Sequence, residues 1–133
     1  MKTRIEFTRA PIAPARLEFS TPDIGACLEF SGVVRRLENG RSIPGLFYEA
    51  YEPMARAQLE KICQELGRQH PCDEILFIHR LEFVPVGEAS LFIRVCSRHR
   101  QAGLLLLGVL IDRLKTDVPI WKSAGHGENS SSA

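Results

Sequence analysis

Residues 104–114 constrain this chain more than any other stretch. They read Leu-Leu-Leu-Leu-Gly-Val-Leu-Ile-Asp-Arg-Leu, with Asp112 and Arg113 as the one polar edge. A helix apolar almost all round has to be covered on more than one side. Its own sheet covers one side, and a second subunit is the candidate for another. The run is too short to cross a bilayer. Arg98, His99 and Arg100 stand in front of it, and Lys115 and Lys122 bracket the segment that leaves it. A helix N-terminus carries the positive end of the dipole and disfavours basic side chains. A basic front end fits when an anion comes to it, because free backbone N–H groups and cationic side chains then share one ligand. The stretch 98–122 therefore reads as an anion-binding pocket that contains a reactive lysine.

The remaining residues must supply the sheet. Residues 5–7 form a candidate edge strand. Pro11 and Pro14 break the chain, with one or two helical turns expected over 13–19. Residues 26–34 read as a strand, interrupted by Gly32 and ended by Arg35 and Arg36. Asn39-Gly40 is a turn signal, and residues 46–51 are the returning strand. Pro53 suits the first turn of a helix that runs to about Gln69, with Leu59, Ile62, Cys63 and Leu66 on one face. A strand is expected over 75–79, carried on towards Val84, then a turn over 85–88. The next strand covers 89–96, with Leu91, Ile93 and Val95 on one face and Phe92, Arg94 and Cys96 on the other. Ser97 is the expected cap of the apolar helix, and Pro119 ends it before an extended segment over 120–122. This order predicts an α+β fold with a mostly antiparallel sheet and two main helices. Residues 1–124 are expected to be a single catalytic domain. Residues 125–133, rich in Gly and Ser, are expected to be a disordered tail.

Composition narrows the function. At 133 residues, 44% hydrophobic and 25% charged, the chain reads as one soluble globular unit. A net charge of +1 argues against nucleic acid as the partner. Cys27, Cys63, Cys72 and Cys96 form no C-x-x-C pair, and no metal or cofactor motif stands out. Free thiols and the lack of a signal-peptide pattern at the N-terminus point to the cytoplasm.

Two lysines lead the candidate chemistry. If residues 118–122 turn back beside the helix end, Lys115 and Lys122 face one cavity. A neutral amine there is a nucleophile or base, and a charged one holds an anion or an oxyanion. Spacing alone leaves two surface lysines as the plainer alternative. His99 and Arg100 suit a phosphate. Arg35, after Gly32-Val33-Val34, fits an anion clamp or an ordinary strand end.

Together these residues resemble the large, catalytic subunit of molybdopterin synthase. The likeness is carried by Phe30-Ser31-Gly32-Val33-Val34-Arg35, by residues 46–54, and by Ile78-His79-Arg80. It continues through residues 84–90, residues 97–100, Leu114-Lys115-Thr116 and Val118-Pro119-Ile120-Trp121-Lys122. The resemblance implies an α+β fold with a hammerhead-like β-arrangement, and a homodimer of large subunits. It implies a heterotetramer with a small ubiquitin-like sulfur carrier whose Gly-Gly tail ends in a thiocarboxylate. It also implies sulfurtransferase activity on cyclic pyranopterin monophosphate, with no cofactor of its own, giving the molybdopterin dithiolene. The family's substrate pocket falls on Val33, Val34, Arg35, His99, Arg100, Lys115, Lys122, Ser123 and Ala124, and its key lysines on Lys115 and Lys122. Members of that family usually carry glycine where Glu82 stands. A non-catalytic dimeric module that binds a ubiquitin-like tail or a phosphorylated ligand is the alternative.

Overall fold

Alternating strands and two proline-bounded helices sort this chain into two separate four-stranded sheets. The computed structural model describes residues 1–14 and 16–124, and the backbone of Asn129–Ser130. In chain order the elements are β1 (Lys2–Thr8), β2 (Ala26–Val33), β3 (Leu37–Glu38), β4 (Arg41–Ser42) and β5 (Gly45–Ala50). They continue with α1 (Glu52–Gln69), β6 (Glu74–Arg80), β7 (Glu82–Pro85), β8 (Ala89–Ser97), α2 (Arg100–Asp117), β9 (Ile120–Ser123) and β10 (Asn129–Ser130). One sheet runs β1-β6-β8-β2 and the other β10-β9-β5-β7, with β3 and β4 as a separate hairpin. Only the β1–β6 pairing is parallel among the described residues. This is the α+β, mostly antiparallel architecture with two main helices that the sequence predicts. The disordered tail expected over 125–133 lies largely outside the described residues; within it, Asn129 and Ser130 pair with Ser123 and Lys122.

The core follows from periodicity. On β8, Leu91, Ile93 and Val95 are buried towards the helices, while Arg94 lies over the Phe92 ring on the outer face. From α1 come Ala55, Leu59, Ile62, Cys63 and Leu66, and from α2 come Gly103, Leu106, Leu110 and Leu114. Each large side chain buried this way stabilises the fold by about 1.5–3 kcal/mol. A Cβ at Gly103 would collide with the side chains of Leu28 and Ser97, so α2 lies hard against β2 and the end of β8.

Three expectations are corrected. The described residues of 13–19 form no helix; a stretch that short, broken by Pro14, does not repay helix nucleation. Its Leu17 and Phe19 instead lie over the outer face of the first sheet beside Glu74 and Leu76. Ser97 does not cap α2: it is still part of β8, paired with Ala26, and its hydroxyl donates to the His99 carbonyl at 2.6 Å. The strand expected over 75–84 is two strands in different sheets. The chain changes sheet at Leu81, whose N–H donates to the Thr8 carbonyl, and Glu82 turns it with φ +69°.

That backbone conformation costs a residue with a Cβ about 1 kcal/mol. Glu82 is held from outside by Arg9, which bonds Glu82 at 3.0 Å and Glu52 at 2.9 Å. The pair is exposed and contributes little. Glu82→Gly is therefore expected to raise the melting temperature by about 3 °C despite losing it. A fall in melting temperature would show that the Arg9 bridge outweighs the strain.

His79 on β6 is fully buried, with its ring 5.1 Å from that of Tyr48. Its Nδ1 donates to the Arg80 carbonyl at 2.8 Å. Burial pushes its pKa down from 6.5 to about 4. The unfolded chain thus binds this proton first, so the stability held above pH 6.5 is lost as pH falls through 6.5 towards about 4. Urea unfolding midpoints at pH 7.5 and pH 5 are expected to show that loss, and His79→Gln to shrink the difference.

Candidate functional site

The end of β2 is a fixed point. Its register slips between Gly32 and Val33. The next residue, Val34, is buried and held by two backbone bonds: its N–H donates to Glu88 at 3.0 Å, and its carbonyl accepts from Gly87 at 2.9 Å. Gly87 supplies the φ of +88° that this turn requires. Arg80, with a side chain only 10% exposed, grips the same turn through Glu88 at 2.7 Å. Val33 is half-exposed, and Arg35 leaves this anchor into solvent.

Beyond Arg35 the β3–β4 hairpin turns through Asn39 and Gly40, both at positive φ, as the Asn-Gly signal predicts. Its Glu38 Oε2 lies 3.5 Å from Lys122 Nζ. Lys122 and Ser123 stand on β9 opposite Tyr48 and Phe47 of β5, and Ala124 packs on the core. Phe47, Glu49, Trp121, Lys122 and Ser123 line a hollow on this sheet. Tyr48 is buried beneath it; burial, with Glu38's charge as a smaller cause, raises its pKa against the lowering effect of a bond to Ser90. The structure thus brings residues 33–35 and 122–124 into one region. Glu38, Tyr48 and Ser90 join them there. Tyr48 carried a signal, the alternation of β5; Glu38 carried none beyond its turn.

Helix α2 supplies the other groups. His99 is its N-cap in extended conformation and makes no side-chain cap bond to the first-turn N–H groups. Gly25, Arg98, His99, Arg100, Gln101 and Leu104 line the hollow at this end. Arg98 is shared between Asp23 at 3.9 Å and Asp73 at 3.8 Å. Lys115 lies exposed in the last turn. Arg100 and Lys115 sit in one helix of 18 residues. At the rise of an α-helix they are about 22 Å apart. One chain therefore separates His99 and Arg100 from Lys115.

Three of the thiols are pushed towards the protonated form. Burial raises Cys63 and Cys96 to about 12 and Cys72 to about 11. None of these three offers a thiolate at neutral pH. Among the described residues no cluster of His, Cys, Asp and Glu could hold a metal ion.

The fold defines an α+β subunit of two four-stranded sheets and two helices, with cationic groups at both ends of α2 and on β9. The chain belongs to the MoaE family: the family model described as MoaE protein matches residues 7–117. It is 44% identical over 112 residues to the molybdopterin synthase catalytic subunit of Bos taurus, covering 84% of this chain and 59% of that relative. The chain thus spans under two thirds of that relative's length. A crystal structure of molybdopterin synthase from Staphylococcus aureus superimposes with a TM-score of 0.81 at 26% identity, covering 96% of this chain and 95% of the other. A complex of subunits 1 and 2 of molybdopterin-converting factor from Helicobacter pylori matches at 0.66 and 26% identity, covering 82% and 72%.

Proposed function

We propose that this protein is the catalytic subunit of a molybdopterin synthase, a sulfurtransferase. Its sulfur donor is the thiocarboxylated C-terminus of a small ubiquitin-like carrier, and its acceptor is cyclic pyranopterin monophosphate. The observation that carries this reading is family membership over residues 7–117 in a chain that keeps Arg35, His99, Arg100, Lys115 and Lys122. Arg35, His99 and Arg100 hold the phosphate by charge-assisted hydrogen bonds. The basic cavity also draws in the anionic thiocarboxylate. Lys115 stabilises or traps the carrier's terminal carbonyl as its C–S bond breaks and sulfur passes to the pterin, and water then supplies the oxygen that returns the tail to a carboxylate. Lys122 serves proton transfer or oxyanion stabilisation on the pterin side. The Helicobacter pylori complex supports pairing with a small subunit.

The separation along α2 is resolved by a homodimer. The helix's outer stripe is Gln101, Leu104, Gly108, Asp112 and Lys115, with Leu104 and Leu105 about half exposed. Gly108 has open space around it and lies midway between Arg100 and Lys115. Two copies crossing there, antiparallel about a two-fold axis, set Lys115 of one beside the Arg100 end of the other. Each pocket then takes cations from both subunits.

We place the reaction in the cytoplasm, where the four free cysteines stay reduced. Among the described residues no helix is long and apolar enough to cross a membrane. The test is reconstitution with thiocarboxylated carrier and cyclic pyranopterin monophosphate. Dithiolene product is expected; carrier binding without product would favour the non-catalytic module.

A further inference from the structure

The β3–β4 hairpin does more than connect β2 to β5. It is a ladder of two residue pairs, Leu37 with Ser42 and Glu38 with Arg41. Leu37, Arg41 and Ser42 are all exposed, so it buries little, and a two-stranded hairpin of this size is marginal by itself. Both of its ends are fixed. Val34 is bound to Gly87 and Glu88, and the Pro44 carbonyl accepts from Val86 at 3.0 Å. The span 35–43 is thus a strap between two anchors, closed at its base by Ile43 N–H to the Arg36 carbonyl. Besides Ile43, which packs on the core at its base, it reaches the rest of the molecule through Glu38, 3.5 Å from Lys122, with the two side chains 21% and 25% exposed. An ion pair this covered is screened less than a surface one. Glu38's charge also reaches the buried Tyr48 below.

We propose that Glu38 is the resting counter-ion of Lys122, an internal anion that the incoming anionic reactant displaces, and that the hairpin lifts with it as a flap. This rests on the sulfur-transfer reading of the pocket. It makes Glu38 a positioning residue: it aims the Lys122 ammonium while the pocket awaits its reactants, and it sets how strong an anion must be to enter. The flap begins at Arg35, so a reactant held there meets the strap at its hinge.

Two measurements on Glu38→Gln test this, and the solvent-side hairpin makes the variant safe for folding. The first uses trinitrobenzenesulfonate, an anionic amine reagent, with modification followed at each lysine by peptide mass spectrometry. Lys122 is expected to label about fivefold faster in the variant, with Lys2 and Lys61 unchanged as controls. An unchanged or slower rate at Lys122 overturns the proposal whatever the enzyme does. The second is steady-state turnover. KM for cyclic pyranopterin monophosphate, the anionic reactant placed beside Lys122, is expected to fall about fivefold while kcat holds, whereas a merely structural role would raise KM. Faster labelling with an unchanged KM would keep the counter-ion and refute entry of the pterin phosphate at Lys122, which is a failure of the functional reading.

Discussion

Lys115→Ala is expected to fold as the parent does and to lose about 10²–10³-fold in kcat. The side chain lies exposed in the last turn of α2. One part of its structural contribution there is a favourable contact of a cation with the negative helix end, about 0.3–1 kcal/mol. Removing it leaves Leu114, Val118 and Ile120, the buried residues around it in sequence, untouched. The circular dichroism spectrum and melting temperature should therefore barely move while product formation collapses. Lys115→Arg separates two roles. A guanidinium keeps the positive charge but is not deprotonated and cannot attack a carbonyl. Recovery in the arginine variant would mean that charge suffices; no recovery would assign Lys115 the trapping step. Lys122→Ala is expected to be similarly inactive, with a looser hairpin because Glu38 loses its partner. Near-normal turnover in both alanine variants would remove the lysines from the chemistry.

These expectations rest on features of unequal visibility in the sequence. The alternation of β8 and the spacing of Leu59, Ile62, Cys63 and Leu66 were readable because each follows from a single period facing a single core. The hairpin turn was readable because Asn39 and Gly40 tolerate the backbone angles it needs. The change of sheet at Leu81 was not. Apolar residues resume at Leu81, Phe83 and Val84 after His79 and Arg80, so the run reads as one strand, and the position where glycine would have flagged a left-handed turn holds Glu82, fixed from a distance by Arg9. No local pattern encodes that partnership. The Glu38–Lys122 pair is hidden for the same reason: its members are far apart in sequence and meet only because β9 lies beside β5.

The separation of Arg100 from Lys115 follows from the length of the helix between them, which the reading of 98–122 as one pocket did not take into account. That distance gives a test of subunit sharing that single variants cannot. Arg100→Ala and Lys115→Ala homodimers are each expected to be inactive. After subunit exchange at equal amounts, half the dimers are mixed. In a mixed dimer one pocket draws its Arg100 from the first variant's partner and its Lys115 from the other chain, so that pocket is whole and its twin carries both lesions. Activity should therefore return to about a quarter of the parent's, the yield of one intact pocket in half the dimers. A pocket built within one subunit would give no recovery, because every chain would still carry its own lesion. Gly108→Leu supplies an independent check at the crossing point. Its side chain meets open space in the single chain but would enter the partner helix in the pair. It is expected to leave the subunit folded, to shift it towards monomer in sedimentation velocity, and to lower turnover with the loss of dimer. A Gly108→Leu protein that stays dimeric would move the two-fold contact away from α2.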